Sequence, residues 1–167
     1  IMMNIIITSP SLNPKVNVSG ISSVTQFIIS NNWKQNYLHF ELGKKDKEKG
    51  GWHRIPALIK KYREWKNVLA LHPDAIVHYN FPLSKASLLR DPWFMRYAWK
   101  NGRKMVVHVH GGLFLTAPHI PGILMRIMKW VFGQDLPFIV LSDMEKDILT
   151  ERFGAKKVAV LPNCVDL

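Results

Sequence analysis

Two histidines separated by one residue are the clearest chemical signal in this chain. His108 and His110 alternate within Val-His-Val-His-Gly-Gly at 107–112. In a β-strand such residues point to the same face, so the pair could ligate a metal ion, as in His-x-His metal-dependent hydrolases. No further ligand follows in a recognisable spacing, and we expect no metal. We interpret His108 as a core histidine and His110, at the strand tip before two glycines, as a cleft residue.

Two further loops place polar groups where a ligand could reach them. Ser19 and Gly20 end a polar loop after the first strand-like segment. A glycine at a helix N-terminus lets backbone N–H groups approach a phosphate, although it can equally be a glycine that only starts a helix. Neither a Walker motif nor a GxGxxG fingerprint is present. Asn80 and Phe81, at the tip of the third strand, offer a hydrogen-bonding amide and an apolar wall.

The elements that must position these residues alternate along the whole chain. Apolar strand-like runs follow helical patterns in turn, which is typical of βαβ units and a parallel sheet. We predict an α/β fold with a doubly wound parallel sheet of six or seven strands, strand one central, and helices on both faces. The loops at the carboxyl ends of the strands then meet at one edge. The predicted strands cover 4–8, 37–42, 75–81, 105–109, 138–141 and 158–161.

Helix signals separate these strands. Pro92 is expected to break the helical segment 85–101, because proline removes a backbone hydrogen bond. Ser142, followed three residues later by Glu145, predicts a capped helix start at the last helix. The clearest helix is 55–69, and its apolar side consists of Ile55, Leu58, Ile59, Tyr62, Trp65 and Leu69.

Composition indicates one globular domain. The chain has 167 residues, of which 47% are hydrophobic and 21% are charged. No segment approaches the roughly 18 apolar residues of a membrane-spanning helix, and the N-terminus lacks the pattern of a signal peptide. The single cysteine, Cys164, excludes an internal disulfide and fits a reducing compartment, so we expect a cytoplasmic location.

The chain carries a formal net charge of +11, from 23 basic and 12 acidic residues. The excess is concentrated in 44–66 and 90–104, where aromatic residues are interleaved. Such surfaces favour nucleic acid, anionic lipid or phosphorylated ligands. A basic α/β module that binds nucleic acid or a membrane surface therefore stays open as a non-enzymatic alternative. The charge can also simply keep the protein soluble.

The order of these motifs resembles the N-terminal domain of retaining GT-B-fold glycosyltransferases. The most similar group is the large one that contains bacterial mannosyl- and glucosyltransferases of polysaccharide assembly. The most specific parts are His110-Gly111 after strand four and the ending Pro-Asn-Cys-Val-Asp at 162–166, where Cys164 replaces the usual glycine. The resemblance covers the whole chain. It implies that 1–167 is a Rossmann-like acceptor-side domain, and that a C-terminal donor-binding domain is absent from this chain.

The resemblance also implies roles for individual residues. Ser19 and Gly20 would lie near the donor diphosphate, although family members commonly have two adjacent glycines there. His110 would contact the transferred sugar and act as the catalytic residue. The sugar nucleotide is then a co-substrate, and no cofactor is expected. The cleft for sugar and acceptor would be lined by Asn80, Phe81, Gly111, Gly112 and Ser142.

The expected function is transfer of a hexosyl group from a sugar nucleotide to a glycan or lipid-linked acceptor in surface polysaccharide assembly. The 167 residues alone should be inactive, because transfer requires donor and acceptor to be held together across two domains. The basic surface suggests an anionic membrane as a partner, with the enzyme peripheral at its inner face, and no nucleic acid is expected. A His-x-His metal hydrolase is the alternative enzyme.

Overall fold

A computed structural model of the chain describes residues 2–43 and 51–162. The basic loop at 44–50 and the residues after Pro162, including Cys164, lie outside the described residues. The strands are β1 (Asn4–Ser9), β2 (Asn36–Glu41), β3 (Ile76–Phe81), β4 (Met105–Val109), β5 (Pro137–Val140) and β6 (Lys157–Val160). The helices are α1 (Gly20–Asn31), α2 (Ile55–Leu71), α3 (Lys85–Lys100), α4 (Leu113–Thr116), α5 (Gly122–Phe132) and α6 (Asp143–Phe153), with a 3₁₀ turn at Trp52–Arg54.

The six strands form one sheet in the order β2-β1-β3-β4-β5-β6. The pairs β1–β2, β4–β5 and β5–β6 are parallel. The predicted α/β class with a parallel sheet flanked by helices is therefore confirmed. The prediction that β1 is the central strand is wrong, because β1 lies one position away from the two central strands. β1 has a neighbour on each side, but β3 and β4 occupy the middle because every strand after β2 is added on the same side of β1.

One compact unit consists of Ile1–His78 and Tyr97–Lys104. It contains β1 and β2, whose parallel register aligns Ile7 with His39. Phe40 of β2 packs against Trp65 of α2, with ring centroids 4.9 Å apart. Both side chains are buried, so α2 is fixed on the sheet mainly through apolar contact.

Only the second half of α2 follows the predicted burial. Trp65 and Leu69 are fully buried, as the helical period predicts. Ile55, Leu58 and Ile59, on the same predicted side, are exposed. The period of a sequence identifies a helix face, but it does not indicate how far along that face the supporting surface extends.

The second compact unit consists of Tyr79–Arg96 and Met105–Leu167. Its core is built around the Phe132 ring of α5. The rings of Phe81, Phe138 and Phe153 surround it, with centroid distances of 6.2, 5.2 and 5.6 Å. These distances are typical of tilted and edge-to-face aromatic packing, which adds to the burial of large apolar rings.

The helix α3 continues through Pro92, so the predicted break is wrong. An interior proline costs about 3 kcal/mol, because it removes one backbone hydrogen bond and crowds the preceding turn. Leu88, Phe94 and Met95 on the same helix are buried. Each such side chain contributes roughly 1.5–3 kcal/mol on burial, so their packing exceeds the cost of the proline.

Candidate active site

Two polar side chains meet at the carboxyl ends of β3 and β4. The Nε2 atom of His110 lies 2.6 Å from the Oδ1 atom of Asn80. The backbone supports this contact, because the His110 N–H donates to the Phe81 carbonyl at 3.2 Å. One step further on, the Leu83 N–H donates to the Gly111 carbonyl at 3.4 Å. The pairing of the two strand ends therefore holds the predicted catalytic histidine against a predicted cleft residue.

The contact also determines which ring nitrogen donates to Asn80. An amide oxygen only accepts hydrogen bonds, so the Nε2 atom of His110 carries the proton. The lone pair of the neutral ring is then on Nδ1. Asn80 is only 4% exposed, whereas His110 is half-buried. A buried amide thus orients an imidazole that solvent can reach, which suits a group that makes a directed hydrogen bond to a substrate.

His108 lies behind His110, on the same side of β4. The two ring centroids are 4.1 Å apart, and the ring planes are tilted by 33°. Burial lowers the pKa of His108 from 6.5 to about 4. This side chain is therefore neutral at physiological pH, and the prediction that it is a core histidine is confirmed.

The two glycines after His110 are required by the backbone. Gly111 has φ +59° and Gly112 has φ +121°, both in the region that favours glycine. A Cβ atom on Gly112 would also lie 2.9 Å from the carbonyl oxygen of Leu83. These glycines let the chain turn sharply beside the end of β3, so their presence is explained by the fold even without a ligand.

Ser142 has a structural task at the start of α6. Its Oγ atom accepts a hydrogen bond from the Glu145 N–H at 3.3 Å, as the predicted helix cap requires. The Glu145 carboxylate accepts from the N–H of Leu141 at 2.7 Å rather than from that of Ser142. The contribution of Ser142 to a sugar or acceptor cleft stays a prediction.

Glu145, which the sequence indicated only as a helix-cap residue, also lies beside the candidate site. Its Oε1 atom lies 3.2 Å from the position that a Cβ atom of Gly111 would occupy. The helix cap thus brings a carboxylate beside the turn that follows His110. The only signal in the sequence was its place in the first turn of a helix that follows a strand of the predicted sheet.

Phe81 does not form the apolar wall of a cleft. Its side chain is fully buried and packs against Phe132 in the core. Asn80 and Phe81 are adjacent in β3 and therefore point to opposite faces of the sheet. Only the backbone carbonyl of Phe81 takes part in the arrangement around His110.

Ser19 and Gly20 belong to the first compact unit. The Oγ atom of Ser19 accepts hydrogen bonds from the N–H of Ser22 at 3.2 Å and from the Asn17 side chain at 3.1 Å, which confirms the predicted cap of α1. A Cβ atom on Gly20 would have no neighbour within 4 Å. Ser19 lines an open pocket of about 650 Å³. The expected meeting of this loop with the His110 loop stays a prediction.

Among the residues that the structure describes, no group of three or more His, Cys, Asp or Glu side chains is placed to hold a metal ion. His108 of β4 and His110, which follows this strand, therefore acquire no third ligand from this part of the chain. In the part of the chain that the structure describes, no helix combines the length and the hydrophobicity needed to span a bilayer.

Comparison with protein families identifies the family of this chain. The family model of Glycosyltransferase Family 4 matches residues 38–167. The matched range contains Asn80, His110 and Ser142 and begins after Ser19 and Gly20. The search of curated proteins finds no match.

Proposed function

The chain belongs to Glycosyltransferase Family 4, and from this membership we propose that it is the acceptor-side half of a retaining glycosyltransferase. The enzyme transfers a hexosyl group from a sugar nucleotide to a glycan or lipid-linked acceptor during surface polysaccharide assembly. A second, donor-binding domain completes it. The 167 residues alone should therefore give no turnover.

The hydrogen bond between Asn80 and His110 is the observation that carries this proposal. It places an oriented, solvent-accessible imidazole at the carboxyl end of a strand in a parallel sheet, where α/β proteins bind their ligands. The Nδ1 atom of His110 accepts a hydrogen bond from a hydroxyl group of the transferred sugar, and the ring helps to stabilise the charge that develops at the reacting carbon. Such preorganised groups are effective because they need no reorientation during the reaction.

The start of α1 supports a place for the donor diphosphate. Gly20 is the first residue of the helix, and a Cβ atom at this position would have no neighbour within 4 Å among the described residues. Neither sterics nor backbone conformation therefore demands glycine there. A bound diphosphate that comes close to the N–H groups at the helix start would be a reason for glycine at this position. No cofactor is part of the proposal, because the sugar nucleotide supplies the activated sugar.

The net charge of +11 supports a location at a negatively charged surface. We place the enzyme in the cytoplasm, peripheral at the inner face of the membrane, where a lipid-linked acceptor is available. Each lysine or arginine near an anionic leaflet contributes about 1 kcal/mol, so a few basic residues are sufficient for reversible attachment.

A donor screen tests the proposal. The full-length protein is incubated with single sugar nucleotides, such as UDP-glucose and GDP-mannose, with and without a membrane lipid extract. Release of nucleoside diphosphate and transfer of radiolabelled sugar into the extract are measured. We expect one donor to be consumed in an acceptor-dependent way. If no donor is bound or consumed, the glycosyltransferase assignment is wrong.

A further inference from the structure

The helices α3 and α5 border a groove on the surface of the second unit. The groove has a volume of about 410 Å³. Leu88 and Pro92, both buried, form its floor. Its sides combine aromatic, aliphatic and basic side chains, which are Leu89, Trp93 and Arg96 of α3 with Arg126, Ile127 and Trp130 of α5.

The apolar side chains of this groove are unusually accessible. Trp93 is 62% exposed, Leu89 is 48% exposed and Trp130 is 39% exposed. Leu89 and Trp93 are four residues apart on α3, and Ile127 and Trp130 are three apart on α5, so each pair lies on one helix face. Single exposed apolar residues are ordinary, but neighbouring ones that line one groove mark an interaction surface.

The charged side chains that these two helix segments expose have one sign. Lys85 and Arg96 of α3 and Arg126 and Lys129 of α5 are all exposed. Between Lys85 and Arg96, and throughout α5, the single acidic residue is Asp91, which is fully buried and paired with Arg90. The exposed sides of these helix segments therefore present cations around an apolar centre, without a carboxylate.

We propose that this groove is the face with which the protein docks on an anionic phospholipid bilayer. Trp93 and Trp130 enter the interfacial region, which suits the amphipathic indole ring. Arg96 and Arg126 meet the lipid phosphates, for which the planar guanidinium group is well matched. The inference rests on the proposed function, because it supplies the surface that holds the enzyme near a lipid-linked acceptor.

The combination of exposed aromatic and basic side chains in the groove favours a lipid bilayer over other binding partners. Interfacial binding grows with buried apolar area and with attraction to anionic lipid, and the groove provides both within two adjacent helices. The exposed bases of α2 belong to the first unit and lie outside the groove. Lys60 and Arg63 are exposed there and do not line the α3–α5 groove. They serve as a matched control of equal charge.

Vesicle sedimentation with the full-length protein tests the proposal. The vesicles contain equal parts of phosphatidylcholine and phosphatidylglycerol, and pure phosphatidylcholine vesicles give the baseline. We expect Arg96→Gln with Arg126→Gln to weaken partitioning roughly thirtyfold, the effect of two bases near an anionic surface. Trp93→Ala with Trp130→Ala should also weaken it at least tenfold, whereas Trp33→Ala, at an exposed tryptophan of the first unit, should not.

The control pair distinguishes docking through the groove from nonspecific attraction of the positively charged protein to the vesicles. Lys60→Gln with Arg63→Gln should retain most of the binding. An equal loss in both charge pairs, or unchanged binding by the tryptophan pair, would overturn the groove as the docking face. The assay measures no sugar transfer, so its failure is distinguishable from failure of the glycosyltransferase proposal. Binding to an immobilised copy of the protein or to RNA, without binding to vesicles, would also contradict the inference.

Discussion

The Nε2 atom of His110 lies 2.6 Å from the Oδ1 atom of Asn80, so the tips of two adjacent strands share one polar contact. The amide is buried and the ring is half-exposed. In the proposed function, Asn80 is therefore a positioning residue, and His110 is the group that contacts the substrate. This division of roles makes the effects of the two side chains on turnover dependent on each other.

A double-mutant cycle tests this dependence. Asn80→Ala should lower the kcat of the full-length enzyme about tenfold to a hundredfold, because the His110 ring loses its orientation. In a His110→Ala background the same substitution should have little further effect, since the group that it orients is gone. The measurement is kcat for the four proteins of the cycle.

Full additivity of the two substitutions would contradict the positioning role. The melting temperature of each variant provides the control, because Asn80 is buried and its loss can also reduce stability. Asn101→Ala, at an exposed asparagine of the first unit, should leave kcat unchanged.

The glycines after His110 should differ in their tolerance of alanine. Gly112→Ala places a Cβ atom 2.9 Å from the Leu83 carbonyl oxygen at φ +121°, and we expect it to lower the free energy of unfolding by about 2 kcal/mol or more. Gly111→Ala, at φ +59°, should cost only about 1 kcal/mol. Urea denaturation of both variants measures the difference. Equal stabilities would show that the turn is not built as described.

Gly20→Ala separates a structural glycine from a ligand-binding one. A Cβ atom there meets no neighbour, so the free energy of unfolding should stay unchanged or rise by up to about 1 kcal/mol. If the start of α1 binds the donor diphosphate, the KM for the sugar nucleotide should nevertheless increase. Denaturation curves and donor kinetics on the full-length enzyme test both statements. An unchanged KM would show that this glycine only begins the helix and has no role in donor binding.

His108 should make stability depend on pH. Burial lowers its pKa from 6.5 to about 4, so the unfolded chain binds a proton in this window that the folded chain does not. The free energy of unfolding should therefore fall as the pH drops from 6.5 towards 4, by up to about 3 kcal/mol from this group.

His108→Gln should flatten this pH dependence. Burial also lowers the pKa of His39, which adds a contribution of the same sign that the variant keeps. Urea denaturation at a series of pH values measures both slopes. A slope that is identical in the wild type and the variant would contradict the assignment of a neutral, buried His108.

Local signals in the sequence predicted the elements well. The six strands were placed to within one or two residues, because short apolar runs were bounded by glycine, proline and polar residues. Ser19 and Ser142 were recognised as caps, since their side chains act on backbone groups within three residues. Interactions of this short range are specified by the local sequence alone.

Long-range packing was not predictable in the same way. The predicted break at Pro92 did not occur, because buried neighbours on α3 stabilise the helix beyond the cost of the proline. Phe81 was expected in a cleft and is in the core, since the sequence does not show which face of β3 is covered by Phe132. The short helix α4 was missed because four residues carry too little periodicity.

The candidate site was predicted only in part. His110 and Asn80 were each singled out, but their contact depends on the register between β3 and β4, which no local pattern encodes. The position of Glu145 beside Gly111 depends likewise on the placement of α6 after β5. Tertiary arrangement thus turned separate candidate residues into one site.

The most direct test of the account is the turnover of the His110→Ala variant of the full-length enzyme. We predict that kcat falls about a hundredfold to a thousandfold, as for the loss of a group that stabilises developing charge, while the melting temperature stays the same. His119→Ala, at an exposed histidine of the same unit, provides the matched control and should keep full activity. Normal turnover by a correctly folded His110→Ala enzyme would contradict the central claim that this imidazole serves sugar transfer.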